Sequence, residues 1–297
     1  MRFEQYMPIV ANYGAALKKW AAQPTMQRLA WAVAVIVFIG GVALSIRANP
    51  KIVQDIDYAL LGLILFVLCP VMTAANMLIT REIGRVAGAN LDYAQSLRLA
   101  VMATAINHLP APGGAILRTA AYHDAGATLK DAAIANAVGG FAWMGVTFLQ
   151  AGIFGATVSF TLGALFFGIG AALTIASIWM ARKRPGRLKD LPALFGVCAL
   201  SAFTYAICIV AAVRALGESA AFAQAVFIST SGVIGAAASI APSGLGIREA
   251  AAAGLGVLIN VDPAAAFSAT ALVHIAMIII MGLCAVFFAA SERAPAS

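Results

Sequence analysis

Pro112-Gly113-Gly114-Ala115-Ile116-Leu117-Arg118 recurs later in the chain as Pro242-Ser243-Gly244-Leu245-Gly246-Ile247-Arg248. The two segments lie 130 residues apart (242 − 112), and the pairs Gly114/Gly244 and Arg118/Arg248 keep that spacing. A second block lies upstream. Arg85, Gly88, Tyr93, Ala94 and Gln95 align with Arg214, Gly217, Phe222, Ala223 and Gln224, 129 residues on (214 − 85), so one inserted residue separates the blocks. Two blocks in the same order and nearly in register identify one unit used twice.

Working outward, the hydrophobic runs obey the same shift. Leu29–Ile46 maps onto Ser159–Ile178, Tyr58–Thr80 onto Leu191–Val213, and Ala132–Ala156 onto Pro263–Phe287. Each run is near or above the roughly 18–20 apolar residues that cross a hydrocarbon layer as a helix. Backbone hydrogen bonds must be satisfied internally there, and the runs do not alternate apolar and polar residues as barrel strands do. The expected fold is an all-α polytopic membrane protein. Each of its two units has three spans and one broken or re-entrant helix segment, Ser96–Thr119 in the first and Ala225–Ala252 in the second. Residues 1–28 form a basic N-terminal segment. Residues 29–290 form one transmembrane domain, with unit one at 29–157 and unit two at 158–290, and residues 291–297 form a tail. A cleaved signal peptide at Ala43-Leu44-Ser45 is rejected, because it would remove a span that the repeat requires.

Composition agrees. The chain is 62% hydrophobic and 10% charged, where a soluble domain carries about 25% charged residues. The net charge of +7 sits at span ends, which points to anionic lipid and topology signals and away from nucleic acid. Arg182, Lys183, Arg184, Arg187 and Lys189 place their loop in the cytoplasm, as do Lys18, Lys19 and Arg28 for the N-terminus. Arg81, Arg85 and Arg98 assign the loop after the second span to that side. The balanced loop with Arg47, Lys51, Asp55 and Asp57, and the uncharged turn near Thr157, suit the far side. Three spans per unit is an odd count, so unit two is expected to be inverted. Two full spans per broken segment would preserve the inversion, which leaves the crossing count open. Cys69, Cys198, Cys208 and Cys284 lie in apolar runs without CxxC spacing and read as small buried hydrophobes.

The chemistry is expected at the two breaks. Interrupted backbone at membrane depth is tolerated only inside protein or beside a cavity. A restarting helix presents free N–H groups and a dipole that favour an anion, and paired broken helices in an inverted repeat mark a midplane site. Arg118 and Arg248 each follow a restart glycine by four residues, and a guanidinium fork suits phosphate. Arginine at the bilayer centre costs about 2.5–3.5 kcal/mol on insertion scales. Gly113, Gly114, Ser243 and Gly244 would supply backbone donors. Glu249 follows Arg248, while its counterpart is Thr119. A pairing of Glu249 with Arg118, a cationic headgroup or a proton stay open. His108 can act as proton carrier, headgroup ligand or structural residue, and Asn107 can bind a headgroup or stabilise the break. His274 reads as structural, Asn76, Asn136 and Gln150 as interhelical hydrogen-bonding residues, and Arg81, Glu82 and Arg85 as a solvated or lipid-facing cluster. Trp143, Phe141 and Phe148 read as packing residues, and Trp20, Trp31 and Trp179 as interface anchors.

The run Ala241-Pro242-Ser243-Gly244-Leu245-Gly246-Ile247-Arg248-Glu249 resembles the P-G-G-L-G-x-R-E signature of the lysylphosphatidylglycerol synthase transmembrane family, that of the membrane domain of the multiple peptide resistance factor. Asn76, the stretch Arg81-Glu82-Ile83-Gly84-Arg85 and the Pro112 segment also fit, and the likeness covers Leu29 to Ala290. The resemblance implies a flippase-type domain in a bacterial cytoplasmic (inner) membrane. In the namesake a soluble domain makes the aminoacylated lipid. With Ser297 ending this chain, no such domain is expected and the substrate is not carried over. Ser243 stands where glycine is usual.

Three functions follow. The leading expectation is a flippase or transporter for a phosphate-bearing lipid or lipid-linked precursor. A non-catalytic partner in an envelope biosynthesis complex and a membrane-embedded transferase are the alternatives, and a homo-oligomer is compatible with each. HExxH, GxSxG, a paired acidic metal motif and a P-loop are all missing from the sequence. No cofactor or metal is expected.

Overall fold

In a computed structural model of the chain, residues 24–50, 54–107, 113–182, 188–238 and 244–291 are described. His108, Pro112, Pro242, Ser243, Lys18, Lys19, Trp20 and most of the basic loop after Arg182 lie outside them. The described residues are helical, with no strand among them. The elements are α1 (Pro24–Ala48), α2 (Tyr58–Ala87), α3 (Tyr93–Asn107), α4 (Gly113–Asp124), α5 (Leu129–Gly155), α6 (Phe160–Arg182), α7 (Leu191–Ala215), α8 (Phe222–Ser229), α9 (Ser231–Ala238), α10 (Ile247–Leu258) and α11 (Pro263–Ser291).

Five helices, α2, α5, α6, α7 with its leading turn, and α11, are long and apolar enough to cross a membrane. α1 is a 25-residue helix over the first expected span. Large apolar side chains face outward along these helices, with Phe160 and Phe66 at 79% and 73% exposure. A water-soluble monomer rarely leaves so much contiguous apolar surface uncovered. The protein is therefore a multi-pass integral membrane protein. α2 extends seven residues beyond the expected Thr80, to Ala87. Its Ile64–Leu68 stretch is π-helical. Pro70 has no N–H to donate, and Cys69 donates instead to the Ile64 carbonyl five residues back.

The repeated residues have local structural reasons. Gly88 and Gly217 end α2 and α7 with φ of 89° and 76°, a conformation that costs glycine little. Both ends close identically. Gly88 N–H donates to Arg85 and Ala89 N–H to Gly84, while Gly217 N–H donates to Arg214 and Glu218 N–H to Val213. Gln95 and Gln224 then cap the next helices, accepting from the backbone N–H of Asp92 at 3.1 Å and of Ala221 at 2.8 Å.

α2 and α7 pack as antiparallel neighbours. The Asp57 N–H donates to the Ala215 carbonyl at one end, and Arg85 and Gly88 lie beside Lys189 and Asp190 at the other. The cores divide accordingly. Ile83, Val86, Leu99, Tyr122, Val138 and Leu194 gather toward the Lys189 end. Ile64, Phe166, Ile209, Phe227, Leu255 and Ala269 belong to a second core toward the Ala215 end. Within the expected solvated or lipid-facing cluster of Arg81, Glu82 and Arg85, Arg85 is exposed as expected, while Glu82 is buried, which corrects the expectation for that residue. Glu82 is 5% exposed and pairs with Arg85 at 3.2 Å and Arg81 at 3.6 Å, while Arg81 also stacks on the Tyr93 ring. The side of α2 that faces the bundle, not its sequence distance from the span centre, decides this burial.

The halves are joined at α5 and α6, which contact each other more extensively than any other pair of helices. Glycine allows it. A Cβ on Gly170 would sit 2.5 Å from the Leu149 nitrogen, and one on Gly152 would sit 2.5 Å from the Phe167 nitrogen. Gly145 and Gly163 meet backbone similarly, whereas Gly140 and Gly168 face open space. In lipid, close packing of this kind drives helix association. Gly170→Ala is therefore expected to destabilise the fold by about 1–3 kcal/mol. Gly168→Ala should be neutral or stabilise by up to about 1 kcal/mol. Unfolding of both variants in detergent micelles measures the contrast, and equal midpoints would remove the seam from the account.

Candidate functional site

Each half carries a helical hairpin at its broken segment. In the first, α3 descends and α4 returns. Leu91 and Tyr122, at the two ends of the hairpin, both lie against Gly84 of α2, and the Tyr122 hydroxyl donates to the Thr80 carbonyl at 2.8 Å. The break itself is closed by a side chain. Asn107 Oδ1 accepts the Gly114 N–H at 3.0 Å, which supplies a donor of the restarting helix with a partner. Gly114 is buried so tightly that a Cβ would meet the Ala103 carbonyl oxygen at 2.5 Å. Beyond it, Thr119 donates to the Ala115 carbonyl and accepts from Asn136 of α5 at 2.9 Å.

Arg118 lies on α4 between these contacts. Its Nε is buried without a hydrogen-bond partner, and no acidic side chain pairs with it among the described residues. The Tyr122 side chain lies one turn on along the same helix.

The second hairpin runs α8 and α9 out and α10 back. Its ends meet where Gln224 Nε2 donates to the Ile259 carbonyl at 2.9 Å. Gly244, φ 69°, packs on the Gly235 backbone, where a Cβ would lie 2.7 Å from the carbonyl oxygen. Gly114 and Gly244, the matched glycines of the repeat, thus both seat the returning helix on a carbonyl of the outgoing one. Gly246, φ 78°, then donates its N–H to Glu249 Oε2 at 2.6 Å. Glu249 is fully buried, and its Oε1 accepts from His274 Nδ1 of α11 at 2.8 Å. Arg248 packs its Cα and Cβ against Gly235, with the Tyr205 hydroxyl of α7 nearby.

The expected site residues thus separate into roles. Asn107, Gly114 and Gly244 close or seat the breaks, and Gly113 begins α4. Arg118 and Arg248 sit on the two returning helices, with no ion pair or hydrogen bond joining Arg118 to Glu249. Glu249 pairs with His274 instead. The restart N–H groups are also less open than expected, because Asn107 and Glu249 each take one. Asn76, Asn136 and Gln150 do bond across helices, to Thr104, Thr119 and the Ala199 carbonyl. His274, read as structural, is the buried partner of the one acid on α10. Its only signal in the sequence is an ionisable residue alone in an apolar span. Thr119 and Glu249, matched in the repeat, both tie their helix to the next span, one through a neutral amide and the other through a carboxylate.

Removing the amide that closes the first break leaves a buried N–H without a partner, which costs about 1–3 kcal/mol. Asn107→Ala is expected to lower unfolding stability by that amount and Asn107→Asp by less, measured by denaturation in detergent. An Asn107→Ala midpoint equal to the parent would show that the break is held by other contacts.

No curated protein matches the chain. A family model for the lysylphosphatidylglycerol synthase TM region matches residues 29–285, and the chain belongs to that family.

Proposed function

We propose that this protein moves a phosphate-bearing lipid, or a lipid-linked precursor, between the leaflets of a bacterial inner membrane, with its N-terminus in the cytoplasm. Arg118 carries the reading. It is a cation on a returning helix, its Nε is buried without a hydrogen-bond partner, and among the described residues no carboxylate pairs with it. Holding such a charge inside a membrane protein costs free energy, and intramembrane cations mark substrate paths. A phosphate would satisfy the guanidinium with charge-assisted hydrogen bonds while the acyl chains stay in lipid.

The inverted repeat supports movement between leaflets. α2 and α7, the matched second spans, run antiparallel, and their equivalent Schellman closures lie at opposite ends. One hairpin returns to Gly84 at the Lys189 end, the other to Gln224 at the Ala215 end. Two re-entrant hairpins entering from opposite faces, rocking against a shared α5–α6 seam, give alternating access to a site between them. Arg248 serves as the second headgroup contact in this reading.

Proteoliposomes containing fluorescent phosphatidylglycerol, quenched from outside, measure exchange between leaflets. The parent protein should accelerate it. Arg118→Ala should slow it about tenfold to a hundredfold, the loss of one hydrogen bond to a charged group, and Arg118→Lys should fall between, since lysine keeps charge without the planar fork. An Arg118→Ala rate equal to the parent's would refute the assignment of Arg118. No acceleration by the parent across phosphatidylglycerol and polyprenyl-phosphate probes would refute transport and favour the assembly-partner reading.

A further inference from the structure

We propose that Glu249 and His274 form a proton-binding latch that ties α10 to α11 and releases the second hairpin when the carboxylate is protonated. Its coupling to lipid movement rests on the transport reading above, but the latch itself does not.

The geometry sets the argument. Glu249 is 0% and His274 3% exposed, and His274 lies near the middle of α11 (Pro263–Ser291), at the depth of the hydrocarbon core. One carboxylate holds two separate elements. Its Oε2 accepts the Gly246 N–H at the restart of α10, and its Oε1 accepts His274 Nδ1 of the neighbouring span. Both bonds need acceptor oxygens. When Oε2 takes one proton from hydronium, which is left as water, the new O–H bond occupies the lone pair facing Gly246. The N-cap bond is lost, and the bond from His274 now meets a neutral acid. Nothing else changes oxidation state or leaves. The first turn of α10 then loses the side chain that caps it at Gly246, a residue at φ 78°.

The surroundings suit a titrating pair. The other ionisable groups beside it are Arg248 on the same helix and Tyr205 on α7, and Cys208 lies beside Tyr205. α8 and α9 carry no ionisable side chain. The charged residues of α2 and α3 lie in the last two turns of one and the first two of the other, and Arg47 ends α1. Buried hydroxyls border the region: Ser231 and Thr270, neither with a protein partner, and Tyr205 beside Arg248. Thr270 lies one turn before His274 on the same face of α11, and Ser231 adjoins Gly232, which packs on the Tyr205 ring. A purely structural ion pair would not require such hydroxyls, whereas a proton reaching Glu249 needs groups that both donate and accept.

Hydrogen–deuterium exchange of the intact protein in lipid nanodiscs, corrected for intrinsic exchange rates, reads the latch at the amides of Gly246 to Ala250. Because two donors and the neighbouring Arg248 favour the charged carboxylate, protection there should persist from about pH 8 to about pH 5 and fall about tenfold between about pH 5 and about pH 3, as a charge-assisted cap is lost. Glu249→Gln, which cannot ionise but can accept the Gly246 N–H as Gln224 does that of Ala221, should exchange at a pH-independent rate, and Glu249→Ala, which offers no acceptor, should exchange at the low-pH rate throughout. His274→Gln should shift the transition to higher pH by removing the donor that favours the carboxylate. Equal protection at the two ends of that pH range in the parent, or an undiminished pH dependence in Glu249→Gln, would overturn the proposal. Leaflet exchange measured on the same samples separates the two readings. A pH-responsive latch without lipid movement would remove the transport role and leave the latch. Lipid movement with a pH-insensitive hairpin would do the reverse.

Discussion

A helix that breaks inside hydrocarbon leaves backbone donors and acceptors that lipid cannot satisfy, each at a cost of several kcal/mol. The rest of this structure follows from how that constraint is met. Twice the chain interrupts a helix and continues in a second one packed beside it, and twice a side chain supplies an acceptor to the backbone there. Asn107 closes the first break with a neutral amide. Glu249 caps the restart after the second with a carboxylate. The matched glycines beside them are required because the returning helix lies directly on a carbonyl of the outgoing one.

The two solutions have different electrostatic consequences. The neutral amide at the first break brings no counter-charge to Arg118, which has no paired carboxylate among the described residues. At the second, the carboxylate brings a counter-charge next to Arg248 and recruits His274 from the final span. The halves share an architecture but not a charge state. In the transport account this asymmetry divides the work: the first hairpin offers an open cation to the headgroup, and the second carries a group whose protonation can change its hold on the bundle.

Much of this was legible in the sequence because the repeat preserves residues that have local backbone jobs. Gly88 and Gly217 stand out for their left-handed helix ends, and Gln95 and Gln224 for the caps that follow. These constraints involve residues a few positions apart, which leaves a spacing signal. The Glu249–His274 pair leaves none, since it joins two helices through a register that tertiary packing alone sets. The burial of Glu82 was illegible for the same reason: being charged near a span end does not say which face of the helix turns inward. Along the excess length of α2, past Thr80 to Ala87, Glu82 turns inward and is paired by Arg85 at the surface, which lets a polar stretch continue the helix against the bundle.

The account depends most on the two hairpins entering from opposite faces. Two single-cysteine variants report it, Asp124→Cys after α4 and Asp262→Cys after α10, each in a background lacking Cys69, Cys198, Cys208 and Cys284. Labelling by a membrane-impermeant maleimide is compared between intact cells and inverted vesicles. The Asp124→Cys variant should label only in inverted vesicles, and the Asp262→Cys variant only in intact cells. Labelling of both from the same side would contradict the inverted arrangement and, with it, alternating access between the leaflets.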